Sequence, residues 1–359
     1  MSQTTEQNRG KTDTVIAGAE YTKTISLVEE LAKTEPDRYR PSLASLLNNY
    51  ALHLASAGHH EDALELARRA VAIYEDLIGT SPDRFMPDLA TCLNNYSQRL
   101  ADVGRPYDAL KPAKRAVSIR QGLIDKDPER YLPDLATALN NHSLRLAEVG
   151  QFQEALKPAK RAVNIYRELA RTNPYVHLPD LAICLNNHAL RLADVGRAEE
   201  ALHPARRAVD IYQDLVKADP RRYLPDLATS LNNYATHLAG AGLPEDALHP
   251  ARSAVRIYEH LAKASPARFR PDLATSLNNY ATHLAGAGHL QDALAPAERA
   301  IDIYEGLAAT DPDRYLPDLA RCLDSYTNHL AGLSGPQDVL ENMEFSEQIV
   351  AQLASLGAA

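Results

Sequence analysis

Hydrophobic residues along this chain form pairs of helical stripes, and the pairs repeat every 46 residues. In the third copy, apolar residues keep a helical spacing from Leu135 to Val149, where Gly150 interrupts the stripe. A second stripe follows, made of Ala155, Leu156, Ala159, Ala162, Val163, Tyr166 and Leu169. The pattern predicts a first helix, called helix A, over about residues 133–149, and a second, called helix B, that ends before Pro174.

Prolines keep the same register in both predicted helices. Pro133 suits the first position of helix A, and Asp134 places negative charge at the positive end of the helix dipole. Helix B carries an interior proline in five copies, namely Pro112, Pro158, Pro204, Pro250 and Pro296. An interior proline loses a hydrogen bond and costs about 3 kcal/mol. Because this defect recurs at one position, we interpret it as a kink that bends each copy alike and leaves a carbonyl one turn earlier in need of a partner.

Seven copies fill residues 38–359, and they predict an all-α, right-handed solenoid in which each helix pair stacks on the next. We count the stack as one domain. It is preceded by a predicted disordered tail over residues 1–15 and by a predicted capping helix over residues 16–37.

The two ends of the array differ from its middle. Before the first copy, Ile25 stands one period ahead of Val71, which is typical of a lone helix B. In the seventh helix B, over residues 337–354, Asn342 replaces the proline and Glu347 replaces an apolar residue. Both ends are therefore expected to be polar enough to close the stack.

An aromatic column lies between one predicted helix pair and the next. Its members are Tyr39, Phe85, Tyr131, Tyr223, Phe269 and Tyr315, with His177 in the remaining copy. We expect these rings to occupy the linker and to fill the junction between successive pairs.

The Leu-Asn-Asn segment of helix A, together with the Glu/Asp-Ala-Leu and Arg-Ala-Val segments of helix B, resembles the tetratricopeptide repeat. The likeness is to the long variety found in kinesin light chains and in many bacterial regulatory proteins. Gly150, Ala155 and Ala162 hold the spacing of that family's turn glycine and of its two small helix B residues, and Leu139 and Leu146 stand at its packing positions. The familiar period is 34 residues, so the longer period here predicts longer helices. HEAT repeats have a similar period but lack this glycine and alanine spacing.

Charge and cysteine content narrow the class of partner. The net charge of -9 opposes binding to nucleic acid, which needs clustered Lys and Arg. Cys92, Cys184 and Cys322 share one column of small residues, too far apart in a stack for disulfides, so we expect free, buried thiols in a reducing compartment. No apolar run suits a membrane span, and residues 1–15 lack a signal-peptide core. The sequence predicts a cytoplasmic protein with neither nucleic acid nor membrane as a partner.

Two adjacent asparagines recur in the middle of helix A in six copies. Asn is a mediocre helix former, so another interaction must compensate for it. Adjacent helical side chains point about 100° apart, and the two amides therefore have different roles. Helix A lines the concave groove in the family that the repeats resemble, so the second Asn is expected to bind the main chain of an extended peptide there. This column consists of Asn49, Asn95, Asn141, Asn187, Asn233 and Asn279.

The first Asn of each pair is expected to bond to a neighbouring helix. The alternative is that both columns are structural ladders that hold the repeats in register.

One turn beyond the second Asn lies a column that changes along the chain. Copies two to four carry Arg99, Arg145 and Arg191, each with a carboxylate three residues later, and the other copies carry His53, His237, His283 and His329. In copies five to seven the residue three positions later is glycine, so we expect a roomier and less charged zone of the groove. That zone is expected to offer a ligand a polar strip made of Thr229, Asn233, His237, Thr275, Asn279 and His283.

The sequence contains no pattern that specifies catalysis. Equivalent His residues on stacked pairs would lie about 10 Å apart, whereas zinc holds a nitrogen ligand at about 2.1 Å. Neither a catalytic-triad arrangement nor a glycine-rich phosphate loop occurs. We therefore predict no metal, no cofactor and no enzymatic activity.

Three hypotheses for function follow. The leading one is an adaptor that holds an extended peptide, or a segment of another protein such as a separately encoded effector, in the groove. The second is a regulatory sensor whose Thr, Asn and His zone in copies five to seven binds a small molecule. The third and least favoured is an enzyme built on the groove.

Overall fold

A computed structural model describes residues 20–333, and all regular structure within them is helical. Helix α1 continues through residues 20–34. It is followed by α2 (Pro36–Ser56), α3 (His60–Ile78), α4 (Pro82–Asp102), α5 (Pro106–Ile124), α6 (Pro128–Glu148), α7 (Phe152–Thr172), α8 (Pro174–Asp194), α9 (Ala198–Ala218), α10 (Pro220–Gly240), α11 (Pro244–Ala264), α12 (Pro266–Gly286), α13 (Leu290–Ala308) and α14 (Pro312–Leu333). From α2 onward, even-numbered helices are helix A and odd-numbered ones are helix B of the same copy. The predicted all-α class is confirmed.

Helix packing divides the chain into two compact units, Met1–His177 and Leu178–Ala359, and the division falls inside α8. In the first unit, each helix from α2 to α7 packs against the next. In the second unit, α9 to α14 do the same. Within each unit, successive helices A also contact each other. The predicted domain boundaries stay a prediction; the tail over residues 1–15 and the polar last helix B lie outside the described residues.

Helix A begins at an earlier proline than predicted. In the third copy it starts at Pro128, and Pro133 lies inside the helix rather than at its first position. The prediction was wrong because both prolines suit a helix start. Only Pro128 stands in the first turn, where backbone N–H groups have no partner within the helix, so its missing N–H costs no hydrogen bond. Asp127 caps this end by accepting a hydrogen bond from the backbone N–H of Arg130 at 3.2 Å.

Helix B and the turn before it agree with the prediction. In the third copy, α7 ends at Thr172, before Pro174. Gly150 has a φ of 78°, a left-handed conformation that glycine adopts without steric cost, and it ends helix A. The five prolines expected inside helix B lie inside α5, α7, α9, α11 and α13. Their role as kinks stays a prediction.

The aromatic column lies in the first turns of helix A and not in a linker, because the helix begins earlier than expected. Its rings contact the tyrosine of the preceding helix B, with centroid distances of 6.3 Å for Tyr74–Phe85, 6.5 Å for Tyr212–Tyr223 and 6.5 Å for Tyr304–Tyr315. His177 takes the same place, 6.2 Å from the ring of Tyr166. The rings therefore fill the junction between helix pairs, as predicted.

The three cysteines are free and buried, as predicted. Burial raises the pKa of each thiol to about 12. They are small packing residues in the helix A core, where the thiolate form is suppressed.

Candidate interaction surface on helix A

Each helix A leaves one side unpacked. In α10, Thr229 and Thr236 are exposed and Asn233 is partly exposed, whereas Leu227 and Leu231 are buried. Residues three and four positions apart share a side of a helix, so the three polar residues form one strip. We call this strip and its equivalents the helix-A face. In the first unit it includes Asn49, Thr91, Asn95, Thr137 and Asn141, and in the second Asn187, Thr229, Asn233, Thr275 and Asn279.

The first asparagine of the pair points away from this face, toward the next helix A. Asn186 donates from Nδ2 to Ser230 Oγ at 2.7 Å, and Asn232 donates likewise to Ser276 Oγ at 2.5 Å. Both asparagines are buried. The prediction that the first Asn bonds to a neighbouring helix is confirmed at these two positions.

The second asparagine is the more accessible one. Asn49 is exposed, and its equivalents in the other five copies are partly exposed. Asn95 also has a structural bond, since its Nδ2 donates to Asn48 Oδ1 at 3.0 Å. The small residue beside this pair is Cys92 rather than a serine, so Asn95 takes the place that Ser230 and Ser276 have in the second unit. The binding role of this column stays a prediction.

The arginine column lies below the surface. Arg99, Arg145 and Arg191 are only 8%, 2% and 7% exposed. Each is paired as expected with the carboxylate three residues later, over 2.8 Å to Asp102, 2.8 Å to Glu148 and 2.7 Å to Asp194. Burial lowers the pKa of Arg145, and the carboxylates of Glu148 and Asp102 oppose that effect.

The histidines of copies five to seven are buried too, which corrects the roomy zone expected there. His237 and His283 are 3% and 7% exposed, and burial lowers the pKa of both, opposed at His237 by Asp194. Four residues past the second Asn, the helix has turned by about 40°, which moves the side chain from the helix-A face into the packed edge. The column was expected on the surface because the sequence does not show where the face ends.

The two threonines expected in the same strip are bonded within their own repeats. Thr229 Oγ1 lies 2.8 Å from Tyr258 Oη and donates to the Pro225 carbonyl at 3.1 Å. Thr275 has the same bonds, 2.7 Å to Tyr304 Oη and 3.2 Å to the carbonyl of Pro271.

This Thr–Tyr–Pro network was missed from the sequence. Its signal is a Tyr that follows the Thr by 29 residues, as in Thr137 and Tyr166. The tyrosine hydroxyl also reaches the carbonyl of the interior proline, Pro133, at 3.1 Å.

Within residues 20–333, no three His, Cys, Asp or Glu side chains are grouped closely enough to hold a metal ion. No helix in this range is both long and apolar enough to cross a membrane.

Comparisons with known proteins agree with this architecture. The tetratricopeptide repeat family matches residues 43–84, 135–170 and 181–221. Among curated proteins, no match is found.

Solved structures with similar folds share little sequence with this chain. BtubC (BKLC) from P. vanneervenii is 19% identical over 68% of this chain and 90% of that protein, with a TM-score of 0.55. The apo form of the quorum sensor NprR from B. thuringiensis is 14% identical over 96% of this chain and 91% of that protein, with a TM-score of 0.59. The Rap conjugation gene regulator of the plasmid pLS20, in complex with the Phr* peptide, is 12% identical over 90% of this chain and 77% of that protein, with a TM-score of 0.52.

The fold and its register of repeated residues define a protein built of stacked helix pairs, an architecture that indicates a protein-interaction scaffold. The segments that match the family, residues 43–84, 135–170 and 181–221, are tetratricopeptide repeats, as predicted from the sequence.

Proposed function

We propose that this chain is a non-catalytic, cytoplasmic scaffold that holds an extended peptide, or an extended segment of a partner protein, along its helix-A face. The observation that carries the proposal is the division between the two Asn columns. Asn186 and Asn232 are buried and bonded between repeats, whereas Asn187 and Asn233 beside them lie on the accessible face.

An asparagine column suits a peptide main chain. Each amide offers a donor and an acceptor, the two groups that a peptide unit requires. Packed helices lie about 8–10 Å apart, and an extended chain advances about 3.3 Å per residue. A peptide crossing consecutive helices A therefore meets one Asn at about every third residue.

The comparisons support a peptide as the class of ligand. The Rap regulator was solved in complex with the Phr* peptide, and its fold is similar to that of this chain. The alternative of a small molecule in the Thr, Asn and His zone loses support, because His237 and His283 are buried and Thr229 and Thr275 are bonded to tyrosines.

A random peptide display library, selected against the full chain, tests the proposal. We expect selected peptides to bind the Asn233→Ala/Asn279→Ala variant more weakly, by about 1 kcal/mol, or roughly fivefold, for each lost hydrogen bond. The matched Asn186→Ala/Asn232→Ala variant should be less stable but should keep its affinity under conditions where it is folded. A library that yields no binding peptide, or an affinity that N233A/N279A leaves unchanged, would contradict the proposal.

A further inference from the structure

A cavity of about 890 Å³ opens on the helix B side of the first unit. It lies between α5 and α7, and residues of α6 contribute to its floor. The apolar part of its wall comes from Leu110, Leu139, Leu146 and Pro158. Its volume is within the range of about 300–1,000 Å³ that is typical of small-molecule sites.

The cavity coincides with a break in the repeat pattern. Its lining includes His142. Copy four also has histidine at this position, His188, whereas the other five copies have tyrosine: Tyr50, Tyr96, Tyr234, Tyr280 and Tyr326. In copy six, Tyr280 packs against the same cluster as Leu248 and contacts the core around Leu284. The equivalents of these two leucines are Leu110 and Leu146, which line the cavity. The smaller imidazole therefore leaves open a space that a phenol ring fills elsewhere.

The rim of the cavity is strongly basic although the whole chain carries a net charge of -9. Its lining contains five cationic side chains, those of Lys111, Lys114, Arg115, Lys157 and Arg161, against the single carboxylate of Glu154. Arg115 is paired with Glu75, and Arg161 donates to Gln121. The three lysines form no ion pair with any residue in the range 20–333.

Two of these lysines also depart from the repeat pattern. Lys111 and Lys157 occupy a column that elsewhere holds Glu65, His203, His249 and Ala295. Lysine thus replaces other residues on both sides of this cavity, in which histidine replaces tyrosine. Helix packing alone does not require the lysine and histidine replacements to occur together, whereas a ligand that needs both space and positive charge requires both.

His142 supplies a polar group inside the cavity. Its Nδ1 is buried and has no hydrogen-bond partner among residues 20–333. Burial lowers the pKa of the imidazole, and the charge of Lys114 lowers it further, so the ring is neutral at pH 7 and can donate one hydrogen bond. An unpartnered polar atom in a buried position is costly unless a ligand or water satisfies it. At the mouth, Tyr107 is 72% exposed and offers a further aromatic surface.

We propose that this cavity binds a small organic anion with an apolar body, such as a fatty or aromatic acid. The apolar body would lie on Leu110, Leu139 and Leu146, and the anionic head would lie between the lysines and His142. This site opens between two helices B, with residues of α6 at its floor, and does not depend on peptide binding at the helix-A face.

Binding to the full chain can be measured with anilinonaphthalene sulfonate as a fluorescent apolar anion, displaced by decanoate or by decyl phosphate. We expect displacement by at least one of the two acids, with the stronger one identifying the preferred head group, and none by decyltrimethylammonium, which has the same body and the opposite charge. The variant Lys111→Glu/Lys157→Glu should bind the acid about tenfold or more weakly, the loss expected for charge-assisted hydrogen bonds. The matched reversal Lys217→Glu/Lys263→Glu in the second unit should bind like the unmodified chain.

His142→Tyr is the decisive variant, because it places at this position the residue that five other copies carry there. We expect it to keep its helical circular dichroism and melting temperature while losing acid binding. Tyr280→His, which makes the reverse change in copy six beside Ala295 rather than a lysine, should not create a second acid site. Undiminished acid binding in folded His142→Tyr, equal displacement by the cationic amphiphile, or no displacement by either acid would overturn the proposal.

Discussion

Asn232 Nδ2 donates to Ser276 Oγ at 2.5 Å, and this bond joins α10 to α12 across the boundary between two copies. The equivalent bond of Asn186 joins α8 to α10 through Ser230. A helix that slid by one residue against its neighbour would lose such a bond and would leave two buried polar groups unpaired, so the pairs select one register.

Replacement of this first Asn should destabilise the second unit. In Asn186→Ala/Asn232→Ala, each site loses a buried bond and strands a serine hydroxyl, a loss of about 1–3 kcal/mol that the better helix propensity of Ala offsets by about 0.6 kcal/mol. Asn233→Ala/Asn279→Ala should keep or slightly raise stability, because these side chains are partly exposed. Urea denaturation followed by circular dichroism measures both. Equal losses of unfolding free energy in the two variants would mean that both Asn columns are structural ladders that hold the repeats in register.

Arg120 offers a second stability test. It stands where five other helices B have tyrosine, and it is 5% exposed, with Nη1 2.8 Å from Asp134 Oδ2 and Nη2 2.6 Å from Thr91 Oγ1. Because burying a charge is costly, Arg120→Tyr should keep or raise the free energy of unfolding. Asp134→Ala should lower it by about 1 kcal/mol, since it leaves the guanidinium without its partner in a half-exposed pair. If Arg120→Tyr lowers stability more than Asp134→Ala does, the tyrosine of the other copies cannot replace Arg120 at this position.

Stability should fall on mild acidification. Burial lowers the folded-state pKa of His237, His283 and His329, so between those values and the unfolded value near 6.5 the unfolded chain binds more protons. Above about pH 6.5 these histidines are neutral in both states and cost no stability. As the pH falls below that value, proton binding by the unfolded chain lowers the free energy of unfolding. His237→Gln/His283→Gln should flatten the dependence of melting temperature on pH. The control variant His203→Gln/His249→Gln, on exposed positions of helix B, should keep it.

Thiol labelling should report on unfolding rather than on surface chemistry. With each thiol buried and its pKa raised to about 12, iodoacetamide at pH 8 should label Cys92, Cys184 and Cys322 only when the helices open. Mass spectrometry over time should show slow labelling in buffer and rapid labelling in urea. Rapid labelling of Cys322 alone would place local opening at α14.

The sequence specifies helices, turns and repeat register well because its main signals recur in six or all seven copies. Gly150 and its equivalents mark the turns, and Leu139 and Leu146 mark the packed side of helix A. The start of helix A was misplaced because Pro128 and Pro133 carry the same local signal and only the structure distinguishes them.

The accessible face was harder to predict than the fold. Asn233 and His237 are one turn apart, yet the first is partly exposed and the second is buried, because the edge of the face depends on how closely the next helix packs. The Thr229–Tyr258 bond was missed for a related reason: it joins two helices, and each residue alone looks like an ordinary surface or core side chain.

The exchange of tyrosine for histidine at residue 142 has an evolutionary consequence. Codons for these two amino acids differ by a single base, so one point mutation suffices to replace the phenol ring with the smaller imidazole. Copy four also has histidine at this position, His188, and the other five copies retain the larger ring. In a repeat protein, a ligand site can therefore arise in one copy while the other copies keep the molecule folded.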